Sequence, residues 1–292
     1  MSSYCEEQAM NYTLLHGDAL EVLRNIPNES IQTCVTSPPY YGLRDYGIDG
    51  QIGIEETPEK YIDRLIDIFR EVKRVLHNDG ILWINIGDSY YHTTSNNGGY
   101  SDKSTLQGFS NPNTKGRVAN DTGKHIHLNM SGIKPKEIIG IPWALAFALR
   151  TDGWYLRQDI VWAKSNPMPE SVKDRCTRSH EYIFMLTKNK KYYFNREAIQ
   201  EPAVQDNSNT RNKRDVWYES VGSYKGAHFA VFPEKLIEPC ILAGSREGDT
   251  VLDPFSGSGT TGVVSIRNRR NYIGIDLSAS YNAMATKRLE AL

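Results

Sequence analysis

Apolar residues along the chain recur with two periods. Short, nearly continuous runs predict strands at Tyr12–Leu15, Ile31–Thr36, Gly80–Ile86, Tyr155–Trp162, Glu181–Thr187, Thr250–Asp253 and Asn271–Asp276, with Tyr192-Tyr193-Phe194 as a further extended segment. Helices are predicted between them at Ala19–Ile26, Ile138–Leu149, Pro233–Ala243, Thr260 to about Arg267, and Ser278–Leu292. The best marked helix opens at Thr57-Pro58-Glu59, a capping hydroxyl followed by a first-turn proline and an acid. Ile62, Leu65, Ile66, Phe69, Val72, Val75 and Leu76 form its apolar face, and Asn78-Asp79-Gly80 is expected to stop it. Strands alternating with helical connectors indicate an α/β fold with a mostly parallel sheet.

Two stretches break the pattern. Residues 89–135 are dominated by Asn, Ser, Thr and Gly and lose apolar periodicity. The stretch is too long for a passive connection, so it reads as a flexible insertion: a lid, a substrate-contacting loop, or a segment that orders on binding. Residues 164–225 carry twelve Lys and Arg against eight Asp and Glu, interleaved with Tyr192, Tyr193, Phe194, Trp217, Tyr218 and Tyr224. No internal repeat is visible.

Composition narrows the classes. The chain has 292 residues and a net charge of −1, with 39% hydrophobic and 24% charged residues, which is ordinary globular usage. A uniformly basic coat for nucleic acid is excluded, a local basic face is not. No apolar run approaches the roughly 18–20 residues of a membrane span, and the first residues lack the basic-then-apolar order of a secretory signal. The expectation is a cytoplasmic protein. Cys5, Cys34, Cys176 and Cys240 are scattered without a C-x-x-C spacing, so neither disulfides nor a metal site is expected. Cys176 and His180, one helical turn apart, make too small a ligand set, and His125 and His127 read as surface residues.

Two turns carry the chemistry. Asp253-Pro-Phe-Ser-Gly-Ser-Gly-Thr-Thr261 lies between a predicted strand and a predicted helix. Glycines there admit a ligand to the backbone, and a helix N-terminus offers free N–H groups. Asp276 ends the next strand, where an acid holds ribose hydroxyls in nucleotide-binding α/β sheets. The turn is neither a G-x-G-x-x-G dinucleotide fingerprint nor a phosphate loop, since the Lys is missing. Asp253 would repel a phosphate and favour a cationic cofactor. S-adenosylmethionine has a ribose, a sulfonium, an α-amino group and no phosphate. The plain alternative is a turn whose small residues serve packing alone.

The second turn, Thr36-Ser37-Pro38-Pro39-Tyr40, directly follows a buried strand. Successive prolines fix φ and leave neighbouring carbonyls as rigid acceptors. With the Ser37 hydroxyl these would grip an –NH2 group, while Tyr40 offers a face for stacking a base. Alone, this is equally well a Pro-rich loop. Together, the two turns sit at C-terminal strand ends, where open parallel sheets bind ligands.

Ser-Pro-Pro-Tyr early and Asp-Pro-Phe-Ser-Gly-Ser-Gly-Thr-Thr late resemble the DNA amino-methyltransferases of the β arrangement, over nearly the whole chain. The resemblance implies a Rossmann-like, S-adenosylmethionine-dependent methyltransferase fold with permuted motif order, the catalytic motif preceding the cofactor loop. It implies catalysis by Ser37, Pro38, Pro39 and Tyr40. Cofactor binding would fall to Asp18, which resembles the residue reaching the adenine, to Asp253, Pro254, Phe255, Ser256, Gly257, Ser258, Gly259, Thr260 and Thr261, and to Asp276, where Glu is usual. His228–Pro233 resembles the segment lining the methionine end, through Phe229 and Pro233, and Ile160–Lys164 the strand beside a flipped base. Residues 1–163 and 226–292 would then form the catalytic domain, with 164–225 as the target-recognition region.

Ser at the head of the motif is usual in enzymes acting on cytosine N4, Asp or Asn in those acting on adenine N6. The implied activity is methyl transfer to cytosine N4 in double-stranded DNA after base flipping, with adenine N6 as the alternative. Related Pro-Pro-Tyr turns also occur in enzymes acting on RNA or on protein glutamine, normally with Asn first and the cofactor loop upstream. A cofactor-binding module without catalysis is a further class, disfavoured by the intact Ser37, Tyr40 and glycines. A carbon-5 cytosine methylase would need a nucleophilic Cys, but Cys240 falls in an apolar helix and no Glu-Asn-Val partner exists. A cognate restriction nuclease and a homodimer are partners such an enzyme can have.

Overall fold

The continuous apolar runs become the strands of one eight-stranded sheet. The computed structural model describes residues 11–43, 45, 47–91, 132–203, 209–221 and 232–292. In chain order the elements are β1 Tyr12–His16, α1 Ala19–Leu23, β2 Ile31–Thr36, α2 Pro58–Val75, β3 Leu76–Ile86, α3 Ile141–Thr151, β4 Tyr155–Lys164, β5 His180–Thr187, β6 Glu201–Pro202, β7 Thr210–Arg211, β8 Val216–Glu219, α4 Glu234–Gly244, β9 Thr250–Asp253, α5 Thr260–Arg267, β10 Asn271–Asp276 and α6 Ala279–Leu289. The sheet order is β1-β10-β9-β2-β3-β5-β4-β8, and β6 pairs with β7 apart from it. Parallel pairing joins β1, β10, β9, β2 and β3, while β5 runs antiparallel between β3 and β4, and β8 parallel to β4.

Both faces of the sheet are covered, which is why its central strands read as unbroken apolar runs. In β3, Leu82, Ile84 and Ile86 pack under α1, α2 and α3, while Ile81 and Trp83 point to α4, α5 and α6. The chain leaves β9 toward β10 and leaves β2 toward β3, in opposite directions along the sheet. That switch point opens a crevice above the C-terminal ends of β2 and β9.

Several boundaries differ from the sequence expectation, each for a tertiary reason. The helix opened by Thr57 ends at Val75, not at Asn78-Asp79-Gly80, because Leu76 already pairs with Ile31. The Asn-Asp-Gly triplet becomes a bulge, where a Cβ on Gly80 would lie 3.0 Å from the Gln32 carbonyl. The helix expected from Ile138 starts at Ile141, because the Asp88 carboxylate accepts from the amides of Gly140 and Ile141 and caps it from a distant part of the chain. Tyr192-Tyr193-Phe194 is not a strand: the Tyr193 amide bonds to the Asp79 carbonyl and the Asn195 amide to the Ala243 carbonyl. Cys176 is exposed and outside any helix, so the one-turn pairing with His180 does not arise. The segment 164–225 gives β5 and β8 to the main sheet. Most of the insertion, 92–131, with His125 and His127, lies outside the described residues, as does Cys5. Among the described residues no helix is long and apolar enough to cross a membrane.

Candidate active site

The parallel pairing of β2 with β9, through Thr33 with Val251 and Cys34 with Leu252, brings the two turns side by side. Ser37, Pro38, Pro39 and Tyr40 line one wall of a cavity of ≈190 Å³, and residues 253–258 with Thr260 line the other. Asp18 and Asp276 close one end, and Leu43, Ile48 and Ile52 of the loop after the first turn roof it. Arg64 of α2 holds that loop by donating to the carbonyls of Gly50 and Gln51 and to Glu55.

Asp253 joins the walls from beneath. Its Oδ1 accepts from Thr36 Oγ1 at 2.6 Å and from the Phe255 amide at 3.0 Å, and its Oδ2 accepts from Thr261 Oγ1 at 2.7 Å. The sequence alone places Asp253 beside a cation. Its carboxylate instead has both oxygens engaged and is nearly fully buried, which pushes its pKa up from the usual 3.8 to about 6 despite these bonds. Asp276 accepts from the amides of Gly257 and Ser278, both at 2.8 Å, and burial raises its pKa as well. Asp18 caps α1 through the amides of Leu20 and Glu21.

The glycines of the cofactor turn divide the work. Gly259, at φ +76°, is the N-cap of α5, and a Cβ there would sit 2.8 Å from the Ala285 Cβ of α6. Gly257, at φ +52°, has only the Phe255 carbonyl within 4.0 Å of an added Cβ, and its open side lines the cavity. Gly259 and Thr261 support the cavity rather than line it. Pro233 is the N-cap residue of α4, and its neighbour Phe232 lines the cavity. Phe229 lies outside the described residues.

The cavity's described lining holds three carboxylates, on Asp18, Asp253 and Asp276, and no Lys, Arg or His. Such a lining repels a phosphate and suits a ligand bearing positive charge. Open backbone at Gly257, with the Asp276 carboxylate beside it, fits a ribose-bearing, cationic cofactor. Among the described residues no cluster of three or more His, Cys, Asp or Glu is placed to hold a metal.

Beyond the Ser37 wall lies a polar group that sequence reasoning missed. The Tyr40 hydroxyl donates to Glu181 Oε2 at 2.7 Å, and Glu181 also accepts from Asn85 Nδ2 at 3.2 Å and Lys164 Nζ at 2.5 Å. Burial, then the Glu181 charge, drive the Tyr40 phenol well above its usual pKa, and its hydroxyl also lies 3.4 Å from Asn85 Oδ1. The Pro39 carbonyl is taken by the Tyr61 hydroxyl at 2.8 Å. The signal for Glu181 was topological: an antiparallel strand beside β3 begins where its neighbours end, so its first residues reach the ligand edge.

Known proteins resemble this chain. A family model described as DNA methylase matches residues 31–287. The Type II methyltransferase M.Cfr9I of Citrobacter freundii is 54% identical over 280 residues, covering 95% of this chain and 87% of that protein. M.SmaI of Serratia marcescens is 48% identical over 284 residues, covering 97% and 92%. The solved PvuII DNA methyltransferase, titled cytosine-N4-specific, superposes with a TM-score of 0.69 at 20% identity, covering 96% of this chain and 87% of that one. A Thermus thermophilus protein, titled a putative DNA modification methylase and solved in complex with S-adenosyl-L-methionine, superposes with a TM-score of 0.63 at 26% identity, covering 96% and 93%.

Proposed function

Because this chain belongs to the DNA methylase family, with the β-class order of amino-methyltransferase motifs, we propose that it methylates the exocyclic N4 amine of cytosine in DNA. Its fold is that of the S-adenosylmethionine-dependent methyltransferases, and S-adenosyl-L-methionine is its cofactor. The observation that carries the reading is the shared cavity, with the Ser37-Pro38-Pro39-Tyr40 turn on one wall and an acid-lined, glycine-open turn on the other. Its relatives are named Type II methyltransferases, which supports a modification role beside a restriction nuclease. The Ser at position 37 and the cytosine-N4 title of the PvuII enzyme favour cytosine.

When bound, the cofactor supplies a methyl group already activated on a sulfonium. The residues of the chain do the rest. Asp18 and Asp276 would hold the ribose and adenine part of the cofactor, and the charge of Asp253 would favour its cation through space. An amine lone pair conjugated with a pyrimidine ring is a poor nucleophile. Hydrogen bonds from its N–H groups to Ser37 Oγ and the Pro38 carbonyl hold it pyramidal and aimed across the cavity. The base must leave the duplex, at a cost of a few kcal/mol that stacking on Tyr40 offsets in part. The basic segment 164–225 would meet the DNA backbone.

The test is to incubate the protein with labelled cofactor and mixed-sequence duplex DNA, digest to nucleosides and separate them by mass spectrometry. N4-methylcytosine is the expected product. N6-methyladenine would move the target base on the same fold, and label in neither base would refute the reading.

A further inference from the structure

Tyr40 stands four residues past the end of β2, outside any helix or strand, yet in the proposed reaction its ring offers a face to a base. The residue borders two spaces, the shared cavity and a smaller hollow lined by Tyr41, Leu43, Gly87, Asp88, Ser89 and Ile141. A loop residue with open space on two sides needs an anchor to hold one rotamer. The sheet supplies it. The Tyr40 hydroxyl donates to Glu181 Oε2 at 2.7 Å, Asn85 Nδ2 donates to the same oxygen at 3.2 Å, and Lys164 Nζ donates to Oε1 at 2.5 Å. Asn85 lies on β3, Lys164 on β4 and Glu181 on β5, and the Glu181 side chain is only 12% exposed. Hydrogen bonds to a carboxylate are stronger than those between neutral groups, and donors on three strands hold this one in place. Gly87, one residue past β3, makes the room: a Cβ there would lie 2.7 Å from Tyr40 Cε2 and 3.4 Å from the Glu181 carboxyl carbon.

We propose that Glu181 is a positioning residue that, in the room left by Gly87, locks the Tyr40 ring as the stacking surface for the flipped base. The inference rests on the base flipping and amine methylation proposed above. With the anchor in place the ring is ordered before the base arrives, so stacking is not offset by the entropy of fixing it. Without the anchor the ring is free to turn toward the hollow, and capture of the base weakens. Asn85, Gly87, Lys164 and Glu181 do not line the shared cavity, so the anchor acts through Tyr40 and leaves the cofactor wall untouched. Glu181→Gln keeps an oxygen to which Tyr40 and Asn85 can donate, and Glu181→Ala removes it. Tyr40→Phe keeps the ring and removes the donor.

The test uses the full-length protein, S-adenosyl-L-methionine and a duplex DNA that the wild type methylates, so absence of wild-type transfer would count against the proposed function and not this inference. A fluorescent base analogue at the methylated position reports capture of the flipped base. Glu181→Ala is expected to lower capture and slow single-turnover methyl transfer about tenfold, the scale of one hydrogen bond to a charged group. The dissociation constant for the cofactor should stay within about threefold, the range a retained fold allows. Tyr40→Phe should lose as much, and its double variant with Glu181→Ala no more, because both break one bond. Glu181→Gln should recover to within about threefold of the wild type. Gly87→Ala leaves the Tyr40 and Glu181 side chains intact but crowds the ring, and should reproduce the capture defect. Wild-type capture in Glu181→Ala or Gly87→Ala, losses that multiply in the double variant, Glu181→Gln no better than Glu181→Ala, or cofactor affinity falling along with capture would overturn the proposal.

Discussion

Thr36 Oγ1 donates to Asp253 Oδ1 at 2.6 Å, across 217 residues of sequence. Thr36 is the last residue of β2 and Asp253 the last of β9, so this one bond joins the residue before Ser37 to the head of the cofactor turn. Replacing Thr36 by Val keeps the shape and deletes the donor. Leaving a buried carboxylate short of one partner costs about 1–3 kcal/mol. Urea unfolding of Thr36→Val should show that loss, and cofactor titration should show weaker binding although Thr36 does not line the cavity. Unchanged cofactor affinity would mean the two walls are not coupled through this bond.

Burial lifts the Asp253 pKa from 3.8 to about 6, so the folded protein binds a proton there more tightly than the unfolded chain. The stability this provides is complete below about pH 3.8 and is lost as pH rises through 6, a difference of about 3 kcal/mol. Asp253→Asn removes this dependence. Measured across pH 4 to 7.5, its unfolding free energy should gain on the wild type as pH rises. A cation nearby favours the ionised form, so wild-type cofactor affinity should strengthen across the same window while that of Asp253→Asn stays flat. Parallel pH profiles for the two proteins would show that Asp253 does not titrate there.

Gly259 and Gly248 both have positive φ, at +76° and +84°, but a Cβ at 259 meets Ala285 at 2.8 Å while one at 248 meets nothing within 4 Å. Alanine at 248 should cost about 1–2 kcal/mol for its left-handed backbone alone. At 259 the overlap with α6 adds to this, for a total of about 2–4 kcal/mol. Thermal unfolding of both variants checks the difference, and equal losses would show that α6 yields freely.

Much of this was legible in the chain because the chemistry sits on local signals. The bounds of β9, α5 and β10 match the sequence expectation, since a short apolar run, a glycine turn and a helix start each announce themselves within a few residues. The roles of Asp88 and Glu181 were not legible. Asp88 caps a helix that begins more than fifty residues later, and Glu181 reaches Tyr40 only because β5 inserts antiparallel between β3 and β4. Non-local pairing sets both, and no periodicity records it. Asp253 was legible as an acid in the right turn, but the partners that bury it, Thr36 and Thr261, were not.

In the proposed reaction Ser37 accepts from the target amine. Ser37→Ala should bind cofactor as the wild type does and lose on the order of 10²-fold in single-turnover methyl transfer, the scale of one catalytic hydrogen bond. Rapid-quench measurement with labelled cofactor checks it, and a wild-type rate would remove Ser37 from the chemistry.

The claim beneath all of these is that one cavity receives both the amine and the cofactor. A bisubstrate compound, cytosine joined through N4 by a short linker to the cofactor's 5′ position, tests it directly by titration calorimetry. Two half-sites facing each other make the second contact intramolecular, so the joined compound should bind on the order of 10²-fold or more tightly than the cofactor half alone. Both Tyr40→Ala and Gly257→Val should weaken it. Binding no tighter than the cofactor half, or insensitive to Tyr40→Ala, would contradict the account.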